Sequence, residues 1–261
     1  MPSMRSIQNT VYRQRKLAGV PKSSITSLSE LIIPEGFRTL CTPDGIQEFL
    51  KYDSGPNEGS NRFLMFSTDR NLDLMKNATT AFYDGTFSIV PKIFMQLFTL
   101  HIQIGEANYP MVYFLLPNKK QTTYVAALNK LKALSPKFNP DTVMGDFEMA
   151  SINAFQEIYP GVMQKSCFFH LSQAIYRNMQ KYPDILELYK SDSEFSRRMR
   201  MIPALAFLPP NRVVTGFEQL EQSDYYEKHD EMLVEFLTYF EVNYIGKVCG
   251  NTRRQPKFAI P

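Results

Sequence analysis

Residues 81–116 read AFYDGTFSIV PKIFMQLFTL HIQIGEANYP MVYFLL, and this stretch decides the fold. It contains three runs rich in aromatic and aliphatic residues, 81–90, 94–104 and 109–116. Pro91 closes the first run, and the Gly105–Pro110 cluster separates the other two. The pattern predicts three strands joined by turns. Just upstream, residues 69–75 read as a short capped helix. Downstream, Gln121–Leu134 sets Val125, Leu128, Leu131 and Leu134 at helical spacing, with Lys130 and Lys132 outside. Thr142–Gly145 is a short strand running into Asp146. A helix with Ile152, Phe155 and Ile158 on one face follows, then a strand at 162–166. A helix over 167–181 turns Leu171, Ala174, Ile175 and Met179 inward. The order β-β-β-α-β-α-β-α implies an α/β fold, a mixed sheet with helices packed on its faces.

Outward from this core the chain changes character. Residues 1–60 form a basic, extended lead-in, because Pro21, Pro34 and Pro43 prevent any long helix there. The core occupies 61–181, an all-helical region 182–245, and a basic tail 246–261. Within the helical region, Pro203 must kink or end one helix, and Asn211 is placed to cap the next, which carries Val214, Phe217 and Leu220. A last helix holds Leu233, Phe236, Leu237 and Phe240 with its acids outside. Glycine- and proline-bearing clusters at 53–61 and 135–140 mark loops.

The 261 residues carry a net charge of +3, which conceals a division. The first 29 residues hold Arg5, Arg13, Arg15, Lys16 and Lys22 without an acid. The tail holds Lys247, Arg253, Arg254 and Lys257, again without one. The body between them is therefore acidic, most strongly from Glu218 to Glu241. Basic ends of this kind suit phosphate contact or simple solvation. Cys41, Cys167 and Cys249 are too few and too scattered for a disulfide framework, which points to a reducing compartment, cytosol or nucleus. No apolar run reaches the ~18 residues of a membrane span, and the first residues lack a signal-peptide core, so no membrane partner is expected. No phosphate-binding glycine loop, dinucleotide fingerprint, HExxH helix or nucleophile elbow occurs. Cys167 and His170, one helical turn apart, lack an evident orienting carboxylate, so a thiol nucleophile ranks low.

Two carboxylates carry the chemistry. Asp84 interrupts an apolar strand, where a charge is costly unless it is paired, solvated in a cleft or bound to metal. Asp146 stands at the junction of the fourth strand and its helix, near the carboxyl edge where ligand crevices form in open sheets. In such a topology the first strand is central and the fourth lies beside it, so the two acids can meet and hold hard divalent cations. Taken singly, each has a plainer role: Asp146 as a helix N-cap, Asp84 as a hairpin-turn residue.

Five motifs in register carry a resemblance. Asp84-Gly85-Thr86-Phe87, Leu115-Leu116-Pro117-Asn118-Lys119, Gly145-Asp146-Phe147-Glu148-Met149-Ala150, Cys167-Phe168-Phe169-His170-Leu171-Ser172-Gln173 and Ala206-Phe207-Leu208-Pro209 follow one another in that order. Together, over nearly the whole chain from the segment at residue 31 onward, they resemble the transposase domain of Mutator-like elements (MULEs), a branch of the DDE transposases. The lineage looks like the animal one whose fuller members carry FLYWCH zinc fingers. The resemblance implies an RNase H-like core binding a magnesium pair through two Asp and one Glu. It also implies cleavage and strand transfer at transposable-element ends, hence DNA as partner, DNA recombination as process, the nucleus as location and a homo-oligomer as working form. The first two acids map to Asp84 and Asp146, the metal ligands and catalytic acids. Cys167 and His170 map to a Cys-x-x-His motif near the active site. Two ligand-type residues cannot close a zinc site, and a buried Cys with a His bonded within its helix is the plainer reading.

The third acid has no counterpart. Glu218, Glu221 and Glu231 are imaginable substitutes on solvated helix faces. Glu148 either assists at the metal edge or favours the following helix N-terminus. Gly145, where relatives often carry a small polar residue, is a minor departure. No zinc-finger cysteine spacing occurs. Relatives continue further, so a truncated transposase-derived chain is expected: either a metal-dependent enzyme, or a remnant or domesticated module that binds DNA or protein without catalysis.

Overall fold

The computed structural model describes residues 9, 10, 13, 25–43, 45–250 and 252–258. Of the basic lead-in, Arg5, Arg15, Lys16, Pro21 and Lys22 lie outside the described residues.

The lead-in is more structured than an extended segment. It forms a hairpin of β1 (Thr39–Thr42) and β2 (Gly45–Glu48), then β3 (Leu50–Asp53), which belongs to the main sheet. The cluster at 53–61 makes a 3-10 turn over Pro56–Asn61 and leads to β4 (Leu64–Phe66), antiparallel to β3. Thr68 caps α1 (Asp69–Leu74) by accepting from the Asn71 N–H at 3.1 Å.

The predicted meander follows as β5 (Thr80–Thr86), β6 (Gln96–Ile104) and β7 (Ala107–Leu116). The first strand is shorter than expected and stops at Thr86. Pro110 sits inside β7, although proline removes a ladder donor. The register between β6 and β7 shifts at Leu100/His101, beside the His101–Pro110 pair, and this irregularity accommodates the proline. Then come α2 (Gln121–Leu134), β8 (Thr142–Gly145), α3 (Met149–Ile158), β9 (Met163–Ser166) and α4 (Phe168–Met179).

The seven strands are ordered β3-β4-β7-β6-β5-β8-β9. Neighbours from β3 to β5 are antiparallel, while β8 and β9 run parallel to β5. The five strands β5–β9 thus have the RNase H-like arrangement, a meander whose first strand is central and receives the fourth beside it. Two further antiparallel strands extend the meander side.

Alternation divides the sheet's two faces. Tyr83, Phe98, Phe114 and Val143 point to one face and bury against Tyr124, Leu128 and Leu131 of α2 and Phe155 of α3. The Tyr83 and Phe155 rings stack at 4.7 Å. Within α2, Tyr124 and Ala127 are fully buried and Val125 only partly, so the apolar stripe is rotated from the spacing of Val125 and Leu128 alone. On the opposite face, Leu64, Leu50 and Phe94 pack with Leu28 and Ile33 of the lead-in.

The helical region contains α5 (Pro183–Ser191), α6 (Ser193–Ala204), α7 (Pro210–Glu221), α8 (Asp224–Lys228) and α9 (Asp230–Phe240). Asp192 caps α6, and Pro203 stands in its last turn. Asn211 does not cap α7: Pro210 opens the helix at its first position, placing Asn211 inside it. These helices share a second core with α4, built on Leu171, Ile175, Phe195, Phe217, Phe236 and Phe240. The tail carries a two-stranded ribbon, β10 (Val248–Cys249) and β11 (Thr252–Arg253), and is no free basic arm. Arg253 pairs with Glu218 at 2.6 Å and Glu241 at 3.0 Å. No described helix is long and apolar enough to cross a membrane.

Candidate active site

Asp84 lies within β5, opposite Thr99 of β6, so it is not a hairpin-turn residue. Its side chain is 52% exposed, and solvent meets the charge that an apolar strand could not. Asp146 immediately follows β8. The last parallel pair between the two strands is Phe82–Met144, and each acid lies two residues beyond it along its own chain. Asp84, within its strand, has the parity of Phe82 and so faces away from Tyr83 and from α2 and α3. Neighbouring strands lie ~4.8 Å apart, so the ends of these two strands bring the acids into one region. Their charges interact: burial, then the Glu148 charge, push the Asp146 carboxyl above its ordinary value, and Asp84 adds to the rise. His170 and Lys119 oppose it.

Asp146 does not cap a helix. The helix α3 starts at Met149, and the N-cap position belongs to Glu148. Glu148 is engaged by two partners. Its Oε1 accepts from the Tyr124 hydroxyl at 2.6 Å, and its Oε2 from the Lys119 ammonium at 2.7 Å. Gln96 Nε2 in turn donates to Tyr124 at 2.5 Å. Two buried polar side chains on β6 and α2 thereby hold the loop that carries Asp146. A polar Gln96 within an apolar strand was the sequence signal for this network.

Gly145 has a specific task. A Cβ added there would overlap the ring of Tyr83, so only glycine lets β8 lie against β5 with that ring between them and Phe155.

The Cys-x-x-His segment divides its labour. By the β8–β9 register, Cys167 is level with Asp146, and its N–H donates to the Gly145 carbonyl at 2.8 Å, anchoring the start of α4. One turn later, His170 Nε2 stands 3.5 Å from Asp84 Oδ1. The imidazole faces the acid rather than its own helix. A second histidine enters from β6: His101 pairs with Phe82, on the face of the acids. Burial lowers its imidazole pKa, with the Asp84 charge opposing that shift.

The acids of the helical region belong elsewhere. Glu218 is held by Arg253. The carboxyl pKa of Glu221, a residue at the surface, is raised by partial desolvation and by the Glu241 and Asp230 charges, with Arg253 opposing. Glu231 lines a surface groove with Lys181 and Lys228. Among the described residues, no three His, Cys, Asp or Glu side chains group closely enough to hold a metal ion. The donor set at Asp84 and Asp146 is two carboxylates. It suits one magnesium ion that keeps several waters, and does not by itself enclose a pair.

No curated protein matches the chain. Among solved structures, it is similar to the Drosophila P element transposase strand transfer complex, at 11% identity and a TM-score of 0.29, over 71% of this chain and 57% of that one. The chain thus spans little more than half the length of that relative. Residues 80–174, which carry Asp84, Asp146 and His170, match the MULE transposase domain.

Proposed function

We propose that the chain is a MULE transposase-derived protein whose Asp84 and Asp146 form a magnesium-dependent centre for cutting and joining DNA strands. One observation carries this reading: each acid lies two residues past the last pair of two adjacent parallel strands, their charges interact, and both fall within the segment that matches the MULE domain. Magnesium bound there would activate a nucleophile and stabilise the leaving oxygen. The chain's own part is to hold the two carboxylates in register, with His170 3.5 Å from Asp84 as a nearby positive group when protonated. Glu148 stays with Tyr124 and Lys119. A DNA substrate sets this activity in the nucleus, with element ends as the expected sequence and a homo-oligomer as the expected working form.

A second reading, a binding module without catalysis, is favoured by the engagement of Glu148 and by the pairing of Glu218 with Arg253. The experiment that separates them incubates the chain with labelled element-end DNA and magnesium. Cleavage that stops on chelation, and falls at least ~100-fold in both Asp84→Asn and Asp146→Asn, is expected for a centre of preorganised charge. DNA binding with no cleavage, unchanged in both variants, establishes the binding module instead.

A further inference from the structure

Four phenylalanines stand exposed around the acid pair, although the chain buries many others in its cores. Phe87 follows Asp84 by three residues, just past the end of β5, with the Lys119 ammonium 4.3 Å above its ring. Phe168 and Phe169 open α4, and Phe169 meets the His170 ring edge-on at 5.5 Å. Phe207, from the 3-10 turn Leu205–Phe207, packs against Phe168 with ring centroids 4.6 Å apart. Phe169 is 64% exposed and Phe207 73%. Three separate segments thus bring exposed aromatic rings near Asp84, through Phe87 along the chain and through His170 in space.

Such faces are costly to leave in water and serve a ligand with flat apolar surfaces. Charge narrows its chemistry. Lys119, which also pairs with Glu148, caps one ring, and Lys165 of β9, partly exposed, shares the sheet face of Asp84 through its pairing with Met144. Cations interleaved with aromatic rings suit a polyanion that carries stackable rings, because every base presents a π-face and every nucleotide a phosphate. We infer that Phe87, Phe168, Phe169 and Phe207 form a stacking surface for unpaired bases of a DNA strand whose backbone reaches the acid pair. The inference rests on the DNA reading above and adds that the bound strand is locally unpaired. A fully paired duplex hides its base faces and gains nothing from these rings.

The chain contains no tryptophan, so Phe207→Trp introduces a single fluorescent reporter. The full chain is titrated, in chelator so that cleavage cannot intervene, with a single-stranded dT oligonucleotide of about 16 nucleotides and with the matching duplex. Quenching of the reporter by the single strand but not by the duplex is expected. Phe169→Ala should weaken single-strand binding about tenfold, read by anisotropy, and leave duplex binding unchanged. Phe169→Leu, apolar but without a π-face, should behave like Phe169→Ala. Among the Phe169 variants, the inference is overturned by equal losses on both DNAs, full rescue by leucine, or an altered oligomeric state in Phe169→Ala, which marks a protein-docking face. Tight duplex binding without single-strand preference overturns this inference alone. Failure to bind either DNA overturns the DNA reading as well.

Discussion

A methyl group at position 145 would overlap the Tyr83 ring, and Tyr83 directly precedes Asp84. The packing that seats β8 against β5 therefore also sets the spacing of the two acids. Gly145→Ala is expected to cost about 1–3 kcal/mol, the usual penalty for overfilling a packed site. In a Tyr83→Leu background the same change should cost markedly less. A urea-unfolding double-mutant cycle measures that coupling, and additive effects would contradict it. At this scale the acids were legible in the sequence, because a charge inside an apolar run and another at a strand–helix junction are both locally conspicuous. The engagement of Glu148 was not, since Lys119 and Tyr124 reach it from far along the chain and Gln96 acts only through Tyr124.

Among the elements, β3 and β4 depend on one side chain. Arg62 is buried, forks onto both Asp53 oxygens at 2.8 and 2.6 Å, and donates to the Leu28 and Leu31 carbonyls at 2.8 Å. It ties the lead-in to the sheet edge. Arg62→Met should cost about 3–5 kcal/mol, because the carboxylate stays partly buried without its partner. Burial alone would raise the Asp53 pKa, but the Arg62 and Gly55 hydrogen bonds win and hold it below 3.8. The sign follows from linkage: the stabilisation is fully present above 3.8 and is lost as pH falls through the lowered value. Urea unfolding between neutral and acid pH should show that loss in the parent and a flatter acid limb in Arg62→Met. An unchanged limb would contradict the assignment. The strands β5–β9 and their helices could be read from apolar runs and periodicity. The four- and three-residue strands β3 and β4 could not, because so short a segment takes its conformation from the edge it joins.

Over the whole molecule, two cores meet beside the acids. Phe147, between Asp146 and Glu148, leaves the sheet and packs edge-on against Tyr244 at 5.4 Å and Phe258 at 5.2 Å. Phe147→Ala is expected to destabilise the protein by about 2–4 kcal/mol, and Phe147→Leu by under half as much, as measured by urea unfolding. A negligible effect would show that the two cores hold together without this ring. The matched segment ends at residue 174, within α4, whereas the rings that cover Phe147 come from positions 244 and 258. Shortening the protein to its family-matched portion would strip the cover from the residue beside Asp146. A working minimal version must retain the chain through Phe258: here the boundary of a recognisable motif is not a safe place to cut.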